Sequence, residues 1–359
     1  MTLPFLIALA VQASYWMLLR RGFRRSAPSS ARPAASRSST PPITVVVAAR
    51  DEEETLPRLL HALARQDHPD YEVIVVDDGS SDRTPAILHD WSNRFHHLRI
   101  LRTSGAGKKP ALTRGIRAAR HDLLAFTDAD CDPPPTWLTS LAAAHAESST
   151  DWVLVGYSPF RRGGGLIGQL ARYETFVTGF LTAGAAGLGR AYMAVGRNIS
   201  YPRAVFDRVG GFGPIMHSMS GDDDLFVQLV ARRRAANVRA LLDPTSFVLT
   251  DGPRNLREWL RQKRRHTSAG RFYAPSINAH LALFHGTGLM LWLAPFLAGW
   301  MGAVLLGIRL LLQHLILREA GRDLGERDLV SIQLLLEPLY LVYIAFVAPA
   351  GLMRMPRRW

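Results

Sequence analysis

The chain has 359 residues, of which 48% are hydrophobic, and it carries a formal net charge of +13 and a single cysteine, Cys131. This length suffices for one large domain or two small ones with a sizeable core. One cysteine excludes a disulfide framework and a multi-cysteine zinc site, and it favours a reducing compartment. The positive charge is compatible with nucleic acid, anionic lipid or a phosphorylated substrate, so the apolar segments must decide between them.

The first predicted element is an apolar segment from Leu3 to Leu19, which is followed by Arg20, Arg21, Arg24 and Arg25. Its length suits a membrane-spanning helix, and basic residues mark the cytoplasmic end of such helices. A cleaved signal peptide would carry its charges before the apolar run, so the pattern favours an anchor over residues 1–25. Residues 26–42 are rich in Ser, Ala, Pro and Arg, which predicts a flexible linker.

Residues 43–278 are predicted to form the folded domain, which begins with two strand-and-helix units. The β-branched run 43–49 leads into Asp51 and Glu52, and the run 72–76 leads into Asp77 and Asp78. Two such units in succession predict a parallel sheet. The first unit lacks the glycine triplet of a dinucleotide site, and the segment before Lys108 lacks the first Gly of a phosphate-binding P-loop. These motif failures argue against both kinds of nucleotide site.

Two carboxylates one residue apart, Asp128 and Asp130, follow the apolar run Leu123–Phe126. Ligands of open α/β sheets bind at the carboxyl ends of strands. Mg²⁺ and Mn²⁺ prefer carboxylate oxygens, and Mg²⁺ commonly joins one or two carboxylates to substrate phosphates. The pair is therefore a candidate metal and diphosphate site. The alternative is a solvated corner, because Asp is also common in turns.

A second acidic cluster, Asp222 to Asp224, precedes a helical pattern of apolar residues that begins at Leu225. Acids at a helix start cap the helix, but three exceed what a cap requires. The helix dipole lowers the pKa of such an acid and like charges raise it, and the sequence leaves the balance open. Further on, residues 254–271 are predicted to form a basic helix that suits either phosphates or an anionic lipid surface.

The carboxyl-terminal region, residues 279–359, is predicted to contain two or three membrane spans. The apolar segment from Leu281 to Leu317 is much longer than the about 20 residues that one span needs, so two tightly joined spans are expected there. A further span is predicted from about Leu329 to Leu352. Arginines flank both sides of this last span and leave the number of spans open.

Seven motifs in this order and spacing resemble those of the family-2 inverting glycosyltransferases with the GT-A fold. The motifs are Ala49 to Glu53, Val75 to Asp82, Gly107 to Leu112, Thr127 to Asp130, Gly196 to Phe212, Gly221 to Leu225 and Gln262 to His266. The resemblance implies an α/β fold with a Rossmann-like, mostly parallel sheet and flanking helices. It also implies a nucleotide-sugar donor, here expected to be a UDP-sugar, a divalent metal (Mg²⁺ or Mn²⁺) and single-displacement transfer with inversion.

The resemblance also implies roles for particular residues. Acids after the first two strands would hold the nucleoside, and a lysine would contact the nucleotide: Asp51, Glu52, Asp78 and Lys108. Asp128 and Asp130 would bind the metal and the donor. Asp222 would be the catalytic base, with Asp223 as the second choice. Gln262, Arg265 and His266 would contact the diphosphate and the acceptor.

This sequence departs from the family pattern at three positions. Thr113 stands where Asn is frequent, Gly221 where Glu is usual and His266 where Trp is usual. The change at Thr113 affects a position at which the family contacts the donor. The third replaces a large stacking ring by a smaller one that can also form a hydrogen bond.

The leading hypothesis is a multi-pass protein of the plasma (inner) membrane, whose cytoplasmic domain transfers sugar to a lipid or a growing glycan, with no nucleic-acid partner. One alternative is a non-catalytic, basic, membrane-tethered protein that binds lipid or nucleic acid. That alternative explains the charge but not the acids at successive strand ends. A second alternative, a pyrophosphorylase that makes nucleotide sugars, would need neither anchors nor a second acidic cluster.

Overall fold

A computed structural model of the chain describes residues 2–26, 40–147, 150–163, 165–347 and 349. Most of the predicted linker at 26–42 lies outside the described residues, and so does the end of the last predicted span. The described residues form nine strands, which are Ile43–Ala49 (β1), Tyr71–Asp77 (β2), Leu98–Arg102 (β3), Leu123–Phe126 (β4), Cys131–Asp132 (β5), Trp152–Gly156 (β6), Ile199–Pro202 (β7), Asn237–Leu241 (β8) and Leu249–Thr250 (β9).

Seven of these strands form the central sheet in the order β3-β2-β1-β4-β7-β6-β8. Within the described sheet only β7 runs antiparallel to its neighbours, β4 and β6. The carboxyl ends of the other six strands therefore lie along one edge. The two short strands, β5 and β9, pair with each other directly after Asp130. The predicted α/β fold with a mostly parallel sheet is confirmed.

Helices cover both faces of the sheet, as buried parallel strands require. The helices Leu56–Leu63 (α2), Thr84–Ser92 (α3) and Trp137–Ala146 (α5) pack on one face. The helices Lys108–Ala118 (α4), Arg203–Arg208 (α7) and Asp224–Arg233 (α8) pack on the other. Alternate residues of β1 contribute to each side, with Val45 and Val47 in one cluster and Val46 in the other.

A third cluster of buried apolar side chains lies outside the sheet, among the helices Leu3–Ser26 (α1) and Gly165–Gly187 (α6) and the carboxyl-terminal helices. Glycines let α1 and α6 approach closely, because a Cβ atom on Gly187 would lie 1.9 Å from the Gly22 carbonyl oxygen. Helix α6 is inserted between β6 and β7, and it joins the sheet domain to α1.

The carboxyl-terminal helices are Leu256–Thr267 (α9), Pro275–Asp323 (α10), Arg327–Ser331 (α11) and Gln333–Val342 (α12). Helix α10 is interrupted at Gly299, whose φ of 56° lies in the left-handed region that glycine adopts readily. A Cβ atom on Gly302 would lie 2.0 Å from the Ala294 carbonyl oxygen, and Arg309 lies beside Gly288. The chain therefore reverses at Gly299, and the two halves of α10 pack side by side.

Two helices in the described residues, Leu3–Ser26 and Pro275–Asp323, are long and apolar enough to cross a membrane. Their outer surfaces expose large apolar side chains, including Phe296 and Trp300. The segment predicted as a further span is interrupted at Ile332, and its apolar part, Gln333–Val347, is shorter than the about 20 residues of a full span. The number of spans stays a prediction.

Candidate active site

A cavity of about 880 Å³ opens at the carboxyl edge of the sheet, where ligands of open α/β sheets bind. Eight of the predicted site residues line it: Glu52, Lys108, Asp128, Asp130, Asp222, Asp223, Arg265 and His266. Three others, Asp51, Asp78 and Gln262, lie outside its lining. The fold thus gathers the acids that follow β1 and β4, the acids before α8 and the basic residues of α9.

Lys108 links the two acidic clusters at the centre of this cavity. Its Nζ atom lies 2.9 Å from Oδ1 of Asp128 and 2.8 Å from Oδ2 of Asp222. Burial alone would lower the pKa of this ammonium group, but the carboxylates of Asp128 and Asp222 raise it. Burial would likewise raise the pKa of Asp128, yet Lys108, Arg197 and Arg265 lower it. Asp128 is therefore ionised and Lys108 is a cation at neutral pH.

The turn that carries Asp128 and Asp130 is held by backbone contacts. The Cys131 amide donates to the Asp128 carbonyl oxygen at 3.2 Å, and Nη2 of Arg58 donates to the Asp130 carbonyl oxygen at 2.8 Å. These bonds use backbone oxygens, so they leave the carboxylate groups available to the cavity. Carboxylate oxygens are hard donors of the kind that Mg²⁺ and Mn²⁺ prefer.

The two carboxylates therefore suit a divalent ion that also binds substrate phosphates. No group of three or more potential metal ligands occurs among the residues that the structure describes. Sites for Mg²⁺ commonly use only one or two protein carboxylates and complete the coordination with water and phosphate. Asp128 and Asp130 meet that requirement.

The three acids before α8 have different environments. Oδ1 of Asp223 accepts from the Asp224 amide at 2.7 Å, so Asp223 caps α8, and its Oδ2 accepts from the Gly196 amide at 3.0 Å. Asp224 accepts from the Ala194 amide at 2.8 Å and from the Tyr273 hydroxyl. Burial raises the pKa of both carboxyl groups, and their acidic neighbours add to the effect. All three acids line the cavity, and Asp222 is the one of them that forms an ion pair with Lys108.

Asp51 and Asp78 organise the loops around the cavity. Oδ1 of Asp51 accepts from the Ser81 amide at 2.7 Å and so ties the loop after β1 to the loop after β2. Asp78 is fully buried, and its two carboxylate oxygens accept from the amides of Ala106 (3.1 Å) and Gly107 (2.9 Å). Since Lys108 follows directly, Asp78 orients the start of α4 and the lysine on it.

Helix α9 brings Arg265 and His266 to the cavity. It begins with an Asn255 side chain that accepts from the Glu258 amide at 2.9 Å, and the buried Trp259 packs it against the helices behind. Lys263, one residue after Gln262, forms a buried ion pair with Glu174 of α6. Desolvation within the cavity and the cations Lys263 and Arg265 lower the pKa of His266, although its side chain keeps access to solvent.

Arg197, which belongs to the motif from Gly196 to Phe212, lines the cavity although no role was predicted for it. Its guanidinium donates to the Ser158 hydroxyl at 3.1 Å and to the Ser158 carbonyl oxygen at 3.0 Å, and it lies over the Phe160 ring. These contacts aim a positive charge at the Asp128 side of the cavity. The adjacent Gly196 approaches closely, since a Cβ atom there would lie 3.4 Å from Oδ2 of Asp222.

Glu52 gives the cavity a pH-dependent group. Burial raises the pKa of Glu52 to about 7, and the carboxylates of Asp130 and Asp128 add to the rise, whereas a hydrogen bond from Thr55 opposes it. The raised pKa means that the neutral acid is favoured in the folded protein. This contribution to stability is complete below the unfolded pKa of about 4.3 and is lost as the pH rises through about 7.

We therefore expect Glu52→Gln to flatten the pH dependence of stability in metal-free protein. Above pH 7 the variant should be more stable than the parent by on the order of 2 kcal/mol, because each pKa unit corresponds to about 1.4 kcal/mol. Thermal unfolding in detergent across the pH range measures this. The control is Glu54→Gln, whose carboxylate is largely exposed. Parallel curves for Glu52→Gln and the parent would contradict the assignment.

The sheet and its carboxyl-edge cavity define a GT-A-type α/β protein with an acid-rich site. Residues 44–210 match the family model described as Glycosyl transferase family 2. This match confirms the predicted resemblance to the family over residues 44–210 of the sheet domain. The matched range includes Lys108, Asp128 and Asp130 but ends before Asp222 and Arg265.

Several curated relatives share part of this domain. The chain is 37% identical over 91 residues to a glycosyltransferase, AglE, of Haloferax volcanii, a match that covers 24% of this chain and 30% of the relative. It is 35% identical over 102 residues to an undecaprenyl-phosphate 4-deoxy-4-formamido-L-arabinose transferase of Proteus mirabilis, covering 27% and 31%. The chain thus spans about a third of the length of these relatives.

A similar solved structure covers almost the whole chain. It is a mannosyltransferase, PcManGT, from Pyrobaculum calidifontis in complex with GDP-Man and Mn²⁺. The two chains are 17% identical with a TM-score of 0.57, and the similarity covers 95% of this chain and 99% of the other. At this identity the similarity demonstrates a shared fold.

Proposed function

We propose that this protein is a membrane-anchored, metal-dependent, inverting glycosyltransferase that moves a sugar from a nucleotide-sugar donor to a lipid or glycan acceptor. The observation that carries the proposal is the position of Lys108 between Asp128 and Asp222. Asp128, which belongs to the candidate metal and diphosphate site, and Asp222, the candidate base, both contact the Lys108 ammonium group. All three residues line the cavity at the carboxyl edge of the sheet, where ligands of such domains bind.

Asp128 and Asp130 would hold the divalent ion. When bound, the ion would neutralise charge on the diphosphate of the donor and so favour its departure. The fold shared with the GDP-Man and Mn²⁺ complex supports this assignment. Arg197 and Arg265 line the same part of the cavity, and a planar guanidinium can contact a phosphate through two parallel hydrogen bonds.

Asp222 would act as the base. The acceptor hydroxyl oxygen forms a bond to the anomeric carbon while the bond from that carbon to the diphosphate oxygen breaks on the opposite face. The hydroxyl proton moves to the Asp222 carboxylate, and the bonding electrons leave with the nucleoside diphosphate. Lys108 lies 2.8 Å from Asp222 and 2.9 Å from Asp128, so it holds the candidate base next to the candidate metal and diphosphate site. Asp223 is the weaker choice, because amide groups occupy both of its oxygens.

The apolar helices α1 and α10 support a location in the plasma (inner) membrane, with the sheet domain in the cytoplasm. The relative named as an undecaprenyl-phosphate sugar transferase supports a lipid acceptor. The donor is proposed to be a UDP-sugar, with other nucleotides as alternatives. The non-catalytic alternative gives no reason for Lys108 to join two acidic clusters inside a cavity.

Turnover with a panel of nucleotide sugars tests the proposal. The full-length protein in membranes would receive labelled UDP- and GDP-sugars with Mg²⁺ or Mn²⁺, and the lipid, glycan and soluble fractions would be analysed for product. We expect one sugar to enter a lipid or glycan fraction, with inverted anomeric configuration by NMR. Binding of lipid or nucleic acid without any turnover of these sugars would support the non-catalytic alternative instead.

Arg265→Lys is expected to lower transfer by about tenfold or more although the charge is retained, because an ammonium group cannot make the paired planar contact to a diphosphate. The control is Arg264→Lys, since Arg264 is an exposed neighbour outside the cavity lining. Initial rates and membrane flotation should be measured together. A purely lipid-binding role would leave the rate unchanged, as Lys and Arg attract anionic lipid about equally.

His266→Trp tests the departure from the family pattern at the same helix. Retained transfer would indicate that the imidazole serves as a stacking surface that Trp can replace. Loss of transfer with normal donor binding would indicate a hydrogen bond from His266 to the acceptor. Donor binding by isothermal titration separates these outcomes from misfolding.

A further inference from the structure

We infer that the cavity has an apolar arm that holds the hydrocarbon chain of a lipid acceptor, so that the acceptor is a membrane lipid rather than a soluble glycan. This inference rests on the proposed glycosyltransferase function. The arm begins at the site residues and continues between α6, the start of α10 and the end of α12. Its lining includes Thr178, Thr182, Leu281, Ala282, Tyr340 and Ile344.

One face of α6 forms the inner wall of this arm. Glu174, Thr178 and Thr182 are spaced four residues apart and line the cavity together, as the periodicity of an α-helix requires. The Glu174 carboxylate is paired with Lys263, so its charge is compensated. Leu181 also lines the cavity, and the small and apolar side chains of this face leave room for a hydrocarbon chain.

The opposite wall belongs to helices with exposed apolar outer faces. Leu281 and Ala282 lie near the start of α10, where the neighbouring Leu283 is 48% exposed. Ile344 lies in the π-helical turn Tyr343–Val347 directly after α12, close in sequence to the exposed Val342 and Phe346. A helix long and apolar enough to cross a membrane therefore contributes to the arm itself. In a membrane, these apolar faces would offer a lipid chain a route from the bilayer towards the arm.

Charged side chains are concentrated at the site end of the cavity, so the two ends would bind different parts of a lipid. Lys108, Arg197 and Arg265 surround Asp128 at the site end. A lipid head with its accepting oxygen would lie at this end beside Asp222, while the chain occupies the arm. The accepting oxygen can belong to a hydroxyl or to a phosphate. Either kind of lipid head group would lie at the site end with its hydrocarbon chain in the arm.

Photolabelling tests the arm independently of activity. The full-length protein would be placed in nanodiscs that contain phosphatidylcholine with a diazirine on one acyl chain, irradiated, digested and analysed by mass spectrometry. We expect labels on the cavity face of α6 around Thr178 as well as on the outer face of α10. Thr178→Trp should remove the α6 label and keep the α10 label. Labels confined to the outer faces would overturn the inference.

Chain-length dependence of transfer tests the acceptor class. Polyprenyl phosphate and diacylglycerol in phosphatidylcholine vesicles would be compared with their short-chain analogues and with soluble oligosaccharides. We expect Thr178→Trp and Leu281→Trp, on opposite walls, to lower transfer to the long-chain acceptor by about tenfold or more. Transfer to its short-chain analogue and hydrolysis of the donor by water should change little.

A control variant distinguishes blocking from a general effect of an added ring. Leu166→Trp adds a ring to an exposed position of α6 outside the arm, so it should retain transfer. Soluble oligosaccharide as the best acceptor, with rates unaffected by Thr178→Trp, would overturn the lipid inference but leave the glycosyltransferase function intact. Absence of turnover with every nucleotide sugar would instead contradict the proposed function.

Discussion

Asp128→Asn and Asp130→Asn are each expected to lower sugar transfer by about 100-fold or more, because the amide cannot supply the negative oxygen that a divalent ion requires. Removal of the ion by EDTA should have the same effect on the parent protein, and added Mg²⁺ or Mn²⁺ should reverse it. Donor turnover before and after chelation measures both. The replacements are similar in size, so the fold should survive them.

The matched control lies at the other end of the same strand. Asp122 precedes β4, and its side chain is almost fully exposed, so Asp122→Asn should keep the parent rate and the parent dependence on metal. Unfolding temperatures of all three variants would show whether loss of activity reflects loss of structure. Full activity of the parent in EDTA would contradict the assignment of Asp128 and Asp130 as metal ligands.

Asp222→Asn is expected to reduce transfer by about 100-fold to 10,000-fold while donor affinity stays within a few fold. Loss of a base removes stabilisation that exists only in the transition state, so rate and binding should separate. Initial rates at saturating donor, together with donor titration, measure the two effects. Lys108 keeps Asp128 as a partner in this variant, which limits the change in the local charge.

Asp223→Asn is the comparison that locates the base. Asn also caps helices well, so the variant should retain α8 and its contact with the Gly196 amide. We expect it to keep a substantial part of the activity. Near-parental transfer by Asp222→Asn together with inactive Asp223→Asn would move the base to Asp223.

The order of local elements was determined by the sequence. β-Branched runs predicted β1 and β2, and the short apolar run before Asp128 predicted β4, because buried parallel strands need apolar side chains on both faces. The acids at 222–224 predicted the start of α8, since caps are local interactions between a side chain and nearby amides. The predicted basic helix is α9.

Only the tertiary structure decided which partner each polar side chain binds. Asp51 and Asp78 follow the same kind of strand as Asp128, yet both lie outside the cavity lining and bind loop amides. A carboxylate accepts a hydrogen bond from any donor that the fold brings within about 3 Å. The local sequence does not predict which donor that is. The same holds for Lys108, whose partner Asp222 is distant in the chain.

The shape of the cavity also depended on packing between distant elements. No local pattern placed α6 against α1 or beside the start of α10, because that arrangement arises from glycine contacts such as Gly22 with Gly187 and from the reversal at Gly299. Sequence therefore determined which elements form and which chemistry they carry. The close approach of separate helices decided which of those groups share one cavity, since side-chain contacts extend only a few ångströms.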